Sequence, residues 1–248
     1  ATSRARGGPE SRDRPSQTAS NATGMPRAVS VATMQAIDTQ AIERIGIPRL
    51  LLMEHAGVAV ARAVTVLLPS TSAPVVVCCG TGFNGGDGLA AARHLQERGY
   101  ALDVLIAGRL DHLHAEPATF AAILQRLGLP VLEVTGPEAW PRVDQALERC
   151  GLVIDALLGI GTTGAVREPI ASLIERLNCS GKPIIAVDLP SGLDGDTGLV
   201  QGIAVRATTT VAFGRPKQGC FLQAGPAHVG SLTVDSITIP RTLLDTFR

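Results

Sequence analysis

The sequence has few aromatic residues, no excess of either charge and no long apolar run, and each absence excludes a class of protein. Aromatic side chains make up 3% of the 248 residues, and the formal net charge is 0. Nucleic-acid binding depends on clustered positive charge or on aromatic stacking, so no nucleic-acid partner is expected. A run of about 18 apolar residues, as a transmembrane helix requires, is not seen, so no membrane partner is expected either.

Paired-cysteine motifs are also missing. The five cysteines follow no C-x-x-C spacing and stand at positions 78, 79, 150, 179 and 220. Four of them lie in or beside apolar runs, which predicts buried thiols in the reduced state. Because reduced cysteines are typical of cytosolic proteins, we expect a cytoplasmic protein.

The start of the chain differs in composition from the rest. Residues 1–24 combine Arg, Ser, Pro, Gly and Thr with almost no large apolar side chain, so they bury too little to offset their conformational entropy. We predict a disordered tail over 1–27 and a single domain over 28–248. The tail faintly resembles an organelle transit peptide, against which Glu10 and Asp13 argue. Organellar targeting stays open, as does the alternative that Met25 is the true start and the preceding residues are an artefact.

From residue 31 onward, apolar runs alternate with helical patterns, an order typical of an α/β fold. Runs such as 152–154 and 184–187 are continuously apolar, as expected for parallel strands covered on both faces. The pattern predicts a three-layer α/β/α Rossmann-like sandwich with a mostly parallel sheet. No clear helix separates the last two strands, so we expect an antiparallel edge. The predicted strands are 75–79, 101–106, 130–134, 152–157, 183–188, 208–213 and 231–237, and the predicted helices are 33–45, 50–67, 87–98, 117–127, 138–149 and 167–178.

Three polar, glycine-containing segments follow predicted strands. They span residues 80–88, 155–164 and 188–198. Because the carboxyl ends of parallel strands meet at one edge of a sheet, where ligands bind, we expect these segments to line one cleft. Glycines in the first segment would let backbone N–H groups approach a phosphate at the start of the following helix.

Two of these segments also fit the dinucleotide pattern G-x-G-x-x-G, at Gly80/Gly82/Gly85 and at Gly159/Gly161/Gly164. An NAD-dependent dehydrogenase is therefore one alternative, with Asp103 at about the expected separation for a ribose ligand. Asp103 falls inside its predicted strand rather than at the end, and no catalytic Tyr-Lys or His-Asp arrangement is evident. Both observations argue against this alternative.

The oxygen-bearing side chains of the three segments indicate a different chemistry. Asn84 offers an amide carbonyl, Asp155 a carboxylate and Ser191 a hydroxyl, which together suit a hard cation. A single carboxylate is a low charge for a divalent ion, so a monovalent cation such as K⁺ fits. The same residues also have structural interpretations, since Asn84 suits a left-handed turn position and Ser191 suits a turn cap.

These segments resemble the signatures of the YjeF N-terminal domain family, the NAD(P)H-hydrate epimerases. The resemblance rests on GFNGGDG at 82–88, DALLG at 155–159, VDLPSGLD at 187–194, LMEHAG at 52–57 and FGRPKQG at 213–219. The motifs occur in the same order as in the family, and the resemblance covers about residues 29–240. One position departs from the pattern: the family usually has two adjacent asparagines before Gly-Gly-Asp, and the first is Phe83 here, whereas Asn84 is kept.

The resemblance implies a substrate, a cation and a set of site residues. The substrate is NADH or NADPH hydrated at C6, whose R and S epimers must interconvert before a dehydratase repairs the S form. The implied cofactor is K⁺, bound by Asn84, Asp155 and Ser191. The implied substrate-binding residues are Phe83, Asn84, Gly85, Gly86, Asp87, Gly159, Ile160, Gly161, Thr162, Thr163, Gly164, Ala165 and Asp188.

Epimerisation at C6 requires a group that donates and then accepts a proton as the hydroxyl leaves and water returns. Asp188 is predicted to be this catalytic residue because the end of its strand would direct it into the cleft. An acid working near neutral pH needs its pKa raised by burial or by a neighbouring carboxylate. Lys217 has two interpretations, either a phosphate partner or electrophile, or a solvated lysine in a turn.

The resemblance also implies a homodimer, and the end of the sequence at Arg248 leads us to expect the dehydratase as a separate protein. Domains of this family also occur as non-catalytic scaffolds, which keeps a binding function open. The enzyme is favoured by the intact residues Asn84, Asp155, Asp188 and Ser191, and the scaffold is weakly favoured by Phe83. The five histidines are scattered, and none is predicted to be catalytic.

Overall fold

A computed structural model describes residues 27–247. The predicted disordered tail, residues 1–27, lies outside the described residues except for Arg27, and it stays a prediction. The four cysteines at 78, 79, 150 and 220 are buried and free, and Cys179 is exposed.

Seven parallel strands form one sheet in the order β3-β2-β1-β4-β5-β6-β7. Every residue of β1, β4, β5 and β6 is buried, as the continuous apolar runs predict. The strand order reverses between β1 and β4, the position where open α/β sheets bind ligands. The strands are β1 Val75–Cys79, β2 Leu102–Ile106, β3 Val131–Glu133, β4 Leu152–Ala156, β5 Ile184–Val187, β6 Thr209–Phe213 and β7 Ser231–Asp235.

Helices cover both faces of this sheet. They are α1 Val31–Thr39, α2 Arg49–Leu67, α3 Phe83–Glu97, α4 Ala115–Arg126, α5 Trp140–Arg149, α6 Ile170–Cys179, α7 Gly225–Val229 and α8 Arg241–Thr246. Apolar side chains of α1–α4 and α8 share one core with alternate strand residues such as Val77 and Ile154. Side chains of α5 and α6 form a second core against Val76 and Val153. The predicted three-layer α/β/α architecture is confirmed.

Helix α2 is the only helix among residues 27–247 that is long and apolar enough to cross a membrane by length and composition. Leu52, Met53, Val60 and Val64 of this helix are buried in the first core. A core helix of a large α/β domain has the same composition, and its apolar side chains stabilise the fold by packing on the sheet.

The predicted antiparallel edge is wrong. β6 pairs in parallel with β7, from Thr209 opposite Ser231 to Phe213 opposite Asp235. The connecting segment, 214–230, is long enough for a crossover and includes α7. That helix is short and begins with glycine and proline, so it shows no amphipathic period in the sequence.

The first glycine-rich segment is mostly helical rather than a loop. Helix α3 begins at Phe83, four residues before the predicted start at 87. Its glycines are sites of close packing: a Cβ on Gly86 would lie 2.5 Å from Met53 Sδ, and one on Gly88 would lie 2.6 Å from Ala156 Cβ. Gly57 of α2 has the same role, because a Cβ there would lie 2.7 Å from the backbone of Ala90 and Ala91. These glycines bring α3 against α2 and the sheet.

We predict that Gly57→Ala destabilises the protein by about 1–3 kcal/mol, because the new methyl group meets backbone atoms that cannot rotate away. The effect would outweigh the gain in helix propensity of about 0.5–1 kcal/mol that alanine normally brings. Urea unfolding followed by circular dichroism measures the change. Gly161→Ala is the matched control, since no atom lies within 4 Å of a Cβ at that position; an equal stability of the two variants would contradict the packing role.

Candidate functional site

The three polar segments meet at one cavity, as the strand-end argument predicts. The cavity has a volume of about 650 Å³ and lies at the carboxyl ends of the central strands, with α1 and α2 on its other side. Among the predicted substrate-binding residues, those that line it are Phe83, Asn84, Asp87, Gly159, Ile160, Gly161, Thr162 and Asp188. Gly85, Gly86, Thr163, Gly164 and Ala165 do not line it.

The N-terminus of α3 opens into this cavity. Gly82, Phe83 and Asn84 line the wall, and Gly86 N–H makes the first helical hydrogen bond, to Gly82 O at 3.2 Å. The N–H groups of the first helical residues have no carbonyl partner within the helix, and they attract anions. A phosphate is the kind of ligand that such a terminus binds.

Asn84, Asp155 and Ser191 are brought together beside the peptide of Leu158. Asn84 Nδ2 donates to Leu158 O at 2.9 Å, and Leu158 N–H donates to Ser191 Oγ at 2.9 Å. Asp155 accepts hydrogen bonds from Ser191 Oγ at 2.6 Å and Ser191 N–H at 2.9 Å. The predicted cation-binding residues therefore form one hydrogen-bonded network behind the cavity wall.

Asp155 is fully buried, and burial raises its pKa to about 6. The hydrogen bonds from Ser191 and Leu157 act in the opposite direction and lower the pKa. Within the part of the chain that the structure describes, no positively charged side chain contributes to this pKa. Among residues 27–247, no cluster of three or more His, Cys, Asp or Glu side chains could hold a metal ion. A single buried carboxylate among neutral oxygens fits a monovalent cation better than a divalent one.

Asp188 lies at the end of β5 in a left-handed conformation, with φ of 67°. Non-glycine residues rarely adopt this conformation, and it recurs at functional sites. Its Oδ1 accepts a hydrogen bond from Phe213 N–H at 3.0 Å and a second from Lys217 Nζ. The backbone and the ion pair thus fix the orientation of the carboxylate.

Lys217 has 1% of its surface exposed and also donates to Phe213 O at 3.2 Å. The interpretation as a solvated turn lysine is wrong. Val29, two residues before α1, forms a parallel bridge with Lys217. No local pattern predicts this burial, because the contact joins residues at opposite ends of the domain.

Asp38 is a cavity residue that sequence analysis missed. It lies on α1 and faces the same space as Asp87 and Asp188. Burial and then the charge of Asp188 raise the pKa of Asp38 to about 6, although Lys217 and Arg49 lower it. The position of Asp38 in the sequence was a usable signal of a functional residue. Asp38 is one turn after buried Met34 and three residues before buried Ala41, which places a carboxylate on the apolar face of a helix.

Asp87, the fifth residue of α3, is the third carboxyl in the cavity. Its pKa is raised well above its usual range, by burial first and then by the charges of Asp188 and Asp38. The surroundings of Asp87 therefore favour its protonated form.

Phe83 takes part in a stack at the cavity wall. The guanidinium of Arg49 lies 4.3 Å from the centre of the Phe83 ring, and the His114 ring lies 4.9 Å away on a tilted plane. All three side chains line the cavity. Where the family usually has an asparagine, this chain has an aromatic surface that positions a cation. Sequence analysis found neither Arg49 nor His114.

The structure opposes the dehydrogenase alternative. Asp103 lies inside β2 and pairs with Arg149, so it is not placed to bind a ribose at a strand end. The second glycine pattern lies in the segment between β4 and α6, and α6 begins only at Ile170. The first pattern therefore lacks the acid at a strand end, and the second lacks a helix that follows it directly. A dinucleotide fingerprint requires both features.

Residues 49–219 match the family described as YjeF-related protein N-terminus. The chain is 39% identical over 209 residues to a protein of Limosilactobacillus fermentum named NAD(P)H-hydrate epimerase, covering 84% of this chain and 95% of that one. It is 42% identical over 198 residues to a Pyrobaculum aerophilum protein named bifunctional NAD(P)H-hydrate repair enzyme Nnr. That match covers 80% of this chain but only 39% of the relative, so the chain spans about two-fifths of such bifunctional proteins.

Among solved structures, the yeast protein YNL200c is similar with a TM-score of 0.78 and 27% sequence identity. The match covers 89% of this chain and 93% of the yeast chain. The family match spans the segments that line the cavity, and the fold and the polar strand ends agree with it. The chain therefore belongs to the YjeF N-terminal domain family.

Proposed function

We propose that this chain is an epimerase that interconverts the R and S forms of hydrated NADH and NADPH. The observation that carries the proposal is the cavity at the strand-order reversal, bounded by all three motif-bearing segments and by the buried Asp188–Lys217 pair. Support also comes from the 39% identity to a named NAD(P)H-hydrate epimerase over most of both chains.

The walls of the cavity suit a nicotinamide nucleotide. Its volume of about 650 Å³ lies within the range of about 300–1,000 Å³ that is common for ligand sites. The first N–H groups of α3 bind the pyrophosphate, and Arg49, held on the Phe83 ring, adds positive charge to the same wall. Gly159 and Gly161 on the opposite wall let the ligand approach the backbone closely.

Asp188 is the residue that accepts the proton released when water adds at C6. Lys217 and Phe213 N–H occupy one carboxylate oxygen, which leaves the other oxygen for the substrate or a water molecule. A fixed carboxylate next to a reacting carbinolamine serves as a general base and stabilises positive charge on the ring.

K⁺ is the cofactor that the buried oxygens fit. Asp155, Ser191, Asn84 and the Leu158 carbonyl would hold it, and the bound ion would supply positive charge near the substrate phosphates. Asp155 offers a buried negative charge that no cationic side chain of the described residues compensates, and this is the observation that favours a cation there.

The proposal includes two partners. The S epimer is the substrate of a dehydratase acting in sequence, here taken to be a separate protein.

A second copy of the chain is the other partner. Exposed apolar side chains at Leu199, Phe221 and Leu222 support self-association, and a hydrogen bond of 3.0 Å from Ala224 N–H to Gly198 O joins their two loops.

We predict that Asp188→Asn lowers the epimerisation rate by about 10²–10⁴-fold, since it removes general base catalysis, and leaves dinucleotide binding intact. Chromatographic separation of the epimers measures the rate. The single substitution leaves Lys217 buried without its counter-ion, so the double variant Asp188→Asn/Lys217→Met tests the same loss with both charges removed. Asp144→Asn, at an ion pair on α5, is the control; wild-type rates in the Asp188 variants would exclude this residue from the mechanism.

We predict that K⁺ stabilises the protein more than Li⁺ does at equal ionic strength, because an ion that binds only the folded state raises the melting temperature. Thermal unfolding in KCl and in LiCl measures the difference. Asn84→Ala and Ser191→Ala should each reduce the K⁺-specific increment. Equal melting curves for wild type in the two salts would contradict the cation site without reference to activity.

We predict that the protein is a homodimer whose interface includes the Leu199–Phe221–Leu222 surface. Light scattering would give a mass of about twice 25.7 kDa, and Phe221→Glu would reduce it because a charge in an apolar interface is costly. Leu127→Glu, at an exposed leucine elsewhere, is the control. A monomeric wild type would contradict this assembly.

A further inference from the structure

The packing of α1 places Asp38 in the same cavity as the Asp188–Lys217 pair. A Cβ on Gly214 would lie 2.6 Å from Met34 Cε, so α1 lies in contact with the turn that carries Lys217. Val29, two residues before α1, bonds to the same turn through Pro216 O at 2.9 Å. Asp38 is one helical turn beyond Met34 on this face, and it lines the cavity together with Asp188.

The two carboxyls have opposite surroundings. Asp188 receives hydrogen bonds from an ammonium group and a backbone N–H. Among residues 27–247, by contrast, no hydrogen bond contributes to the state of Asp38, which is set by burial and by nearby charges alone. The charged groups that face it are Asp188, Lys217 and Arg49, and Asp87 of α3 is coupled to it as well.

Because their surroundings differ, Asp38 and Asp188 are suited to different proton-transfer steps. A buried carboxyl without donors favours its protonated form, whereas a carboxyl paired with an ammonium group serves as a carboxylate. When two titratable groups in one site are held in opposite states by their environments, one is suited to be the acid and the other the base. Asp87 is the less suitable acid, because burial raises its pKa well above its usual range, whereas a general acid works best with a pKa near the operating pH.

We propose that Asp38 is a catalytic residue, the proton donor to the hydroxyl that leaves C6, while Asp188 accepts a proton from the water that returns. The inference rests on the proposed epimerase function. The Asp38 proton passes to the C6 oxygen, the C–O bond breaks with its electron pair leaving on water, and the ring nitrogen lone pair forms a C=N bond. Water then adds to the opposite face, the nitrogen regains its pair, and the released proton goes to Asp188. Proton transfer from Asp188 to Asp38 through cavity water restores the starting state.

The test compares Asp38→Asn with wild type in the epimer-interconversion assay. We expect the rate at pH 7 to fall at least 100-fold, with the dissociation constant for NADPH changed less than threefold. Wild-type activity should decline as pH rises above about 6, the pKa of Asp38, and Asp38→Asn should lose this dependence. Asp38→Glu, which keeps a carboxyl, should restore part of the rate with a displaced pH profile.

A stability measurement separates this role from a structural one. The folded-state pKa of Asp38 lies above its ordinary value, so its contribution to stability is greatest at low pH and is lost as pH rises through about 6. Asp38→Asn should therefore melt at a higher temperature than wild type at pH 8 and show no such gain at pH 4. A merely structural residue would lower the melting temperature at both pH values.

The outcomes distinguish the two proposals. The role of Asp38 is overturned if the wild type is active and Asp38→Asn keeps more than a third of its rate or the same pH profile. The epimerase function stands in that case. An inactive wild type, folded and binding dinucleotide, overturns the epimerase function and this inference with it.

Discussion

The buried ion pair between Lys217 and Asp188 is the interaction on which the site depends. It joins the turn after β6 to the end of β5, and the Phe213 backbone completes the arrangement by donating to the same carboxylate oxygen. An ammonium group with 1% of its surface exposed is stable only where oxygen atoms surround it. The pair therefore fixes where the strand ends sit and how the Asp188 carboxylate is presented to the cavity.

The other features of the cavity are arranged around this pair. Close packing at Gly57, Gly86 and Gly88 brings α3 against α2 and the sheet, so that the N-terminus of α3 faces the same space as Asp188. Three carboxyls and two cations then share a confined volume. Burial holds Asp38 and Asp87 toward their protonated forms, whereas Asp188 has a fixed cationic partner. One fold thus places carboxyl groups in different surroundings within one cavity.

The sequence was sufficient for the parts of the fold that depend on local patterns. Continuous apolar runs predicted the central parallel strands, because strands buried on both faces need apolar side chains at every position. The glycine-rich segment was predicted as a loop, since glycine has low helix propensity, yet Gly85, Gly86 and Gly88 lie in a helix whose close packing leaves little room for a Cβ. The crossover from β6 to β7 was missed because its five-residue helix, Gly225–Val229, has no periodic pattern.

The site was predictable where motifs mark strand ends, and not where it depends on contacts between distant residues. Asn84, Asp155 and Ser191 follow different strands, and they meet in the structure as the topology requires. Asp38, Arg49 and His114 reach the cavity through helix packing and through stacking on Phe83, which no spacing rule encodes. The burial of Lys217 likewise follows from its contact with Val29, far away in the chain.

The central claim is that this cavity catalyses exchange of the hydroxyl at C6. The most direct measurement is mass spectrometry of the S epimer formed from isolated R-epimer of hydrated NADPH in ¹⁸O-labelled water, with and without the protein. The account predicts that the protein accelerates formation of the S epimer and that the new molecules carry one ¹⁸O atom at C6. No acceleration, or an S epimer formed without the label, would contradict it.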